Sequence, residues 1–232
     1  MLAAENICFS YNRSQLLQDL TFQAAPGECI ALAGPNGSGK STALSLIAGI
    51  AKPDSGQIRK EGKIGLIPQG NALFEDMTVQ DNLTFFAGLA HAAIPRELPL
   101  SVGSFLNKKV SSLSGGMKKR VSIVCALLGD PDILLFDEPC AGLDILYQEE
   151  LAALIRELKA AGRTILYVGH DTAEYESFYD QLIFLSGPKP RLFTRKDLSG
   201  SSCDPAEEAK RLRAAYRRLC EDPDSDVSEV CV

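Results

Sequence analysis

The segment GPNGSGKS, residues 34–41, holds the side chains best suited to chemistry on a phosphate, and it matches G-x-x-x-x-G-K-[ST]. Gly34, Gly37 and Gly39 allow the backbone to curl so that several N–H groups point inward at phosphate oxygens. Lys40 is long enough to reach the β- and γ-phosphates, and the Ser41 hydroxyl is a suitable ligand for Mg2+. The loop Gly34, Pro35, Asn36, Gly37, Ser38, Gly39, Lys40, Ser41 and Thr42 is therefore the expected nucleotide contact. A second candidate lies in ILLFDE, residues 133–138. Its apolar run would bury a strand whose end delivers Asp137 to the metal. Glu138 follows, placed to accept a proton from an attacking water or to orient it.

These residues need a frame. ECIALAG (28–34) reads as a buried strand and residues 40–50 as the helix after it, so the loop would sit on a helix N-terminus. Residues 63–69, 132–138, 163–170 and 181–186 read as further short buried strands, and residues 116–128 and 146–159 as helices between them. Strand-helix alternation implies a parallel sheet flanked by helices. ENICFSY and LTFQAAPGE, near the start, read instead as antiparallel strands joined by a polar turn. Residues 71–112 break the alternation. One helix begins there near Thr78, with Asp81 three residues on as a relative of the capping box, and with Leu83, Phe86 and Leu89 on one face. An inserted, mostly helical subdomain is the expectation.

Composition narrows the function. The chain has 232 residues, with 24 Lys and Arg against 30 Asp and Glu, a formal charge of −6. Such a balance suits a globular protein and argues against a nucleic-acid partner, which favours net positive charge. No run approaches the ~18–20 apolar residues of a spanning helix, and the first residues lack the pattern of a secretory signal. The seven cysteines (Cys8, Cys29, Cys125, Cys140, Cys203, Cys220 and Cys231) show no CxxC spacing, so a reducing cytoplasm is expected rather than a disulfide framework or metal site.

The stretch LSGGMKKRVSIVCALLGDPDILLFDEP, residues 113–139, resembles the signature-to-Walker-B segment of ATP-binding cassette (ABC) ATPases. The phosphate loop then corresponds to Walker A. Tyr11, the Pro68-Gln69 pair, AGLD (141–144) and His170 stand in the family's order, and the resemblance extends over most of residues 2–187. It implies an α/β fold: a P-loop NTPase core with a parallel sheet flanked by helices, an antiparallel β subdomain near the N-terminus and an inserted helical subdomain. It implies an ABC-type ATPase domain over residues 1–200 with its helical insertion at about 71–112, followed by a C-terminal helix and acidic tail over 201–232.

The resemblance also assigns roles. Tyr11 would stack on adenine, Gln69 would contact Mg2+ and the attacking water, and His170 would contact the γ-phosphate and orient Glu138. Ser114, Gly115 and Gly116 precede or open a helix and would meet the γ-phosphate held by a second subunit, while Asp144 would reach across the same interface. ATP and Mg2+ are the implied ligand and cofactor, with Ser41, Gln69 and Asp137 around the metal. A head-to-tail dimer with an identical or homologous second cassette follows, with ATP at the interface. Two positions depart from the commonest pattern: Met117 replaces the usual Gln, and Cys140 stands where Thr or Ser is common, which raises the question of thiol sensitivity.

The expected function is the ATP-hydrolysing subunit of a transporter on the cytoplasmic face of a membrane, held there by an integral permease subunit. In transporters of this family the permease docks beside the Gln69 segment, here residues 70–89, and MTVQDNLTFFAGL (77–89) resembles exporters, with cargo open. Phe85 and Phe86 serve equally as core residues on this reading. The alternative is a soluble ABC ATPase without a transport role, such as one in iron–sulfur assembly. A small-molecule kinase is disfavoured by the signature and AGLD. Beyond residue 200, PAEEAKRLRAAYRRLCED (205–222) reads as a helix with Ala209, Leu212, Tyr216 and Leu219 near one face, either a basic surface for anionic lipid or an acidic partner, or a plainly solvated one.

Overall fold

The computed structural model describes residues 1–199, 204–225 and 227. Cys203 and Cys231, and Asp226 and Glu229 of the expected acidic tail, lie outside the described residues. The chain opens with two long strands, β1 (Leu2–Tyr11) and β2 (Ser14–Ala24), paired antiparallel across a two-residue turn in which Asn12 and Arg13 are left-handed. β3 (Cys29–Ala33) runs through the phosphate loop into α1 (Lys40–Ala48). β4 (Ser55–Lys60) then returns to the edge of β1, giving a three-stranded antiparallel sheet ordered β2-β1-β4. Sequence periodicity misses β4, because SGQIRK is an edge strand in which only Ile58 is half-buried. Its pairing comes from backbone hydrogen bonds to β1, not from apolar alternation.

The second sheet contains β5 (Ile64–Ile67), β6 (Ile133–Asp137), β7 (Thr164–Val168), β8 (Gln181–Phe184) and β9 (Arg191–Thr194), in the order β5-β6-β7-β3-β8-β9. All neighbours are parallel except β9, a short antiparallel edge that the sequence reading does not contain. β3 and β7 are buried along their whole length, as expected of parallel strands covered on both faces. Alternation divides their side chains between two cores. Ile30, Leu32, Leu135, Leu166 and Val168 pack toward α1 and the antiparallel sheet; Ala31, Leu134, Phe136, Ile165 and Tyr167 pack on the opposite face.

The opposite face is covered by α3 (Gly115–Leu127) and α4 (Ile145–Ala160). Between β5 and α3 the insertion holds one α-helix, α2 (Val79–Leu89), and two stretches of 3-10 turn at Pro99–Phe105 and Val110–Ser112. Thr78 begins α2 with the capping box that the spacing suggests: its hydroxyl accepts from the Asp81 N–H, and the Asp81 carboxylate accepts from the Thr78 N–H. The chain closes with α5 (Arg195–Ser199) and α6 (Pro205–Glu221), the latter started by Asp204 at the N-cap and Pro205 in the first turn. α6 is docked: Leu212, Ala215 and Leu219 enter the core on the α3/α4 face. Among the described residues, no helix is long and apolar enough to cross a membrane.

Candidate functional site

The loop between β3 and α1 is built on glycine geometry. Gly34 has φ +143°, and a Cβ there would stand 1.9 Å from the Leu185 carbonyl oxygen. Any side chain would push the loop off the end of β8. Gly39, at the N-cap of α1 with φ +101°, provides no capping side chain, so the first amides of the helix stay available to an anion. The Ser38 hydroxyl is buried and has no hydrogen-bond partner. Lys40 is buried at 5% exposure, its Nζ donating to the Gly34 carbonyl at 2.9 Å and the Pro35 carbonyl at 3.0 Å. Burial lowers its pKa, and the nearby carboxylates of Glu138 and Asp137 act in the opposite direction.

Four further loops reach this place from the carboxyl ends of adjacent parallel strands. Gln69 follows β5, Asp137 and Glu138 close β6, and His170 follows β7. The Ser41 hydroxyl donates to Asp137 Oδ1 at 3.0 Å. Burial raises the Asp137 pKa, and the Ser41 hydrogen bond opposes that rise. Glu138 is the convergence point. Its Oε2 accepts from Gln69 Nε2 at 2.7 Å and lies 2.8 Å from His170 Nε2. The residue is 7% exposed with φ +49°, a left-handed conformation unusual for a non-glycine residue. Its N–H donates to the Val168 carbonyl at 3.0 Å, which locks this turn to β7.

A cavity of about 480 Å³ opens over the loop, within the range of small-ligand sites. Tyr11 flanks it, 57% exposed and stacked edge-on against Phe9 at 4.9 Å, while Gln69, Glu138 and His170 line it beyond the loop. A flat base could lie against such a ring. The donors near Ser41 and Asp137 are hard oxygens that suit Mg2+. Among the described residues no three His, Cys, Asp or Glu side chains gather to hold a metal alone. A Mg2+ ion here would therefore depend on phosphate oxygens and water as well as on Ser41, Asp137 and Gln69.

Ser114, Gly115, Gly116 and Asp144 do not line this cavity. Ser114 caps α3, its hydroxyl accepting from the Met117 N–H at 3.3 Å, and Asp144 caps α4 through the Tyr147 N–H at 2.9 Å. Ser114, Gly115 and Asp144 are solvent-exposed.

Two residues that motif reading passed over join these parts. Lys119, on α3, is 6% exposed and donates to the carbonyls of Pro68 at 2.9 Å and Gln69 at 2.8 Å. It ties the helix begun by Ser114 to the backbone that carries Gln69. A charged residue inside the buried face of a helix is the signal that could have found it. Glu174 is the other. Its carboxylate accepts from the His170 and Asp171 N–H groups at 3.2 and 3.3 Å and from the Tyr167 hydroxyl at 3.0 Å. It shapes the turn presenting His170, and burial raises its pKa.

Cys140 is 4% exposed, with the Tyr167 hydroxyl at 3.3 Å from its sulfur, and burial pushes the thiol up to about 11. A buried thiol with so little thiolate is a poor nucleophile. The folded chain is thus expected to be alkylated by N-ethylmaleimide at exposed Cys220 and spared at Cys140. Peptide mass mapping checks this; modification of Cys140 before unfolding would show that the site opens.

The ABC transporter family matches residues 17–141 of the chain. Nod factor export ATP-binding protein I of Paraburkholderia xenovorans (strain LB400) is 38% identical over 193 residues, covering 75% of this chain and 64% of that protein. Linearmycin resistance ATP-binding protein LnrL of Bacillus subtilis (strain 168) is 32% identical over 219 residues, covering 85% of this chain and 70% of that protein. The chain thus spans somewhat under two thirds of the Nod factor export relative. The structure of an ATP-binding subunit of an ABC transporter superposes with a TM-score of 0.76 at 27% identity, covering 99% of this chain and 97% of that one. A dimeric ATP-binding cassette in a post-hydrolysis state with ADP and Pi superposes at 0.70 with 25% identity, covering 84% and 98%.

Proposed function

The chain belongs to the ABC transporter family of ATP-binding proteins, and from that premise we propose that it binds and hydrolyses ATP as the energy-coupling subunit of an exporter. The observation that carries the reading is the meeting of Gln69, Glu138 and His170 at one carboxylate oxygen beside the phosphate loop. Lys40 turns from the Gly34 and Pro35 carbonyls to the β- and γ-phosphates, and the Ser38 hydroxyl and the amides of α1 bind phosphate oxygens. Tyr11 stacks on adenine. Mg2+, held between Ser41 and the phosphates with Asp137 behind it and Gln69 beside it, would offset phosphate charge.

Hydrolysis needs an attacking water in line with the γ-phosphate. Glu138 takes a proton from that water as its oxygen bonds to phosphorus and the bond to the β-phosphate oxygen breaks, yielding ADP and phosphate. His170 and Gln69 fix the carboxylate in place, and His170 contacts the γ-phosphate. The exposed caps at Ser114–Gly116 and Asp144 suit a role in completing the site of a second cassette, identical or homologous, in a head-to-tail dimer with ATP at the interface. The dimeric neighbour structure and the export-related names of two relatives support this reading.

An exporter also needs a membrane-embedded partner, which would keep this chain on the cytoplasmic face. A cavity of about 300 Å³ beside the Gln69 segment is lined by Leu66, Phe86 and Leu89 among others. The exposed rings of Phe74 and Phe85 pack edge to face at 4.7 Å next to it. This apolar patch is the proposed dock for a short permease helix. A tagged chain purified from detergent-solubilised membranes is expected to bring down an integral membrane subunit in fixed proportion, and Phe85→Asp to release it. Recovery of the cassette alone would remove the transport reading and favour a soluble ABC ATPase.

A further inference from the structure

The C-terminal helix reaches the phosphate loop from below. Tyr216 of α6 packs its ring edge-on against Phe184, with centroids 5.8 Å apart and planes at 85°. Phe184 ends β8 opposite Ala33, the residue just before Gly34, and the neighbouring Leu185 carbonyl is what leaves no room for a side chain at Gly34. The Gly34 backbone N–H donates to the Tyr216 hydroxyl. Burial pushes that hydroxyl up to about 12, so it stays neutral at physiological pH and serves as an acceptor. Three residues away on the same helix, Arg213 makes a forked pair with Glu176, at 2.9 Å to each oxygen, in the segment after the His170 turn. Arg213 is half exposed, so this second tether is the weaker one. Leu212, Ala215 and Leu219 hold the helix in the core between the two contacts.

We propose that α6 is a positioning element of the nucleotide site, in which the Tyr216 hydroxyl sets the backbone of Gly34 while Arg213 braces the segment that follows His170. Gly34 begins the loop whose amides meet phosphate, and its carbonyl holds Lys40 before nucleotide arrives. An amide fixed by Tyr216 keeps that loop in its binding shape, so less ordering remains to be done when phosphate enters. Glu138 and His170 are not touched by Tyr216. The hydroxyl therefore acts on nucleotide affinity rather than on the chemical step.

The inference rests on the nucleotide site proposed above, and the test separates the two. Tyr216→Phe keeps the ring on Phe184 and removes only the oxygen. ATP titrated into the full chain should bind about five-fold more weakly, the worth of one neutral hydrogen bond. KM for ATP should rise in step, with kcat and the melting temperature without nucleotide unchanged. Unchanged ATP affinity would overturn the proposal, and so would a weakening accompanied by an equal loss of melting temperature or of kcat. Lys40→Ala is the reference: if it binds ATP as well as the unaltered chain, or if the unaltered chain binds none, the nucleotide-site reading falls and takes this inference with it.

Discussion

Replacing Glu138 with Gln is expected to leave ATP binding intact and to lower turnover by about 10²–10⁴-fold, the range for removing a positioned general base. The substitution conserves size, and the amide oxygen can still accept a hydrogen bond from Gln69 Nε2. It does not change the backbone demand at φ +49°, which either side chain meets equally. What disappears is the capacity to take a proton from water. The changed residue stands away from Lys40 and the α1 amides, so the phosphates keep their donors. Equilibrium ATP binding together with release of phosphate under single-turnover conditions checks both halves. If turnover stayed near that of the unaltered chain, Glu138 could not be the base, and its meeting with His170 and Gln69 would be a structural hydrogen-bond cluster. If ATP is held without being hydrolysed, the variant should also favour a nucleotide-bound dimer, which size-exclusion chromatography can detect.

Lys40→Ala acts on the other side of the reaction. Its ammonium is expected to make charge-assisted contacts with two phosphates, each worth about 1.5–3 kcal/mol. ATP affinity should therefore fall by on the order of 10²-fold or more. The site is already arranged for this exchange. Lys40 sits almost wholly buried on two carbonyls of its own loop, so its charge is in place before the ligand arrives. Removing it also leaves those carbonyls to water or to the remaining loop, and the nucleotide-free chain should lose little stability because the loop borders an open cavity. Equilibrium dialysis with ATP and with ADP measures the effect. Equal affinity in the variant would mean that the glycine-built cradle holds phosphate through amides alone.

The two variants separate binding from chemistry because the groups sit on different strands. Lys40 belongs to the loop after β3, Glu138 to the end of β6, and β7 lies between those strands. His170, at the end of β7, is the intervening residue and touches Glu138. This arrangement explains why residues so far apart in the chain can act on one phosphate. Parallel strands bring all their carboxyl ends to one edge, and the right-hand order of the sheet then decides which loops become neighbours.

Much of this was legible in the residues themselves. The phosphate loop combines local backbone geometry with a local motif: glycines at the tight points, then Lys40 and Ser41 at the helix start. The same holds for the Thr78 capping box and the buried strands, whose apolar runs require cover on both faces. The family's ordered motifs pointed to Gln69, Asp137, Glu138 and His170 as candidates, but a motif carries no distance. That Gln69 and His170 close on the same carboxylate oxygen depends on sheet order, which no local pattern states.

Other features were decided only by tertiary structure, because they are contacts between segments remote in sequence and have weak local signatures. β4 is polar and gains its place by pairing with β1. Lys119 looks like one more basic residue of the signature helix until its buried ammonium is seen on the Pro68 and Gln69 carbonyls. Cys140 could be reactive or inert on sequence alone; its burial beside Tyr167 makes it inert in the folded chain. The helical spacing of Leu212, Tyr216 and Leu219 predicted an apolar stripe on α6 but not what would cover it. Packing turned that stripe toward the core and set Tyr216 beneath the phosphate loop. Sequence determines local conformation where a short stretch alone satisfies its backbone and buries its apolar groups. Where the partner lies elsewhere in the chain, only the folded structure determines which groups meet.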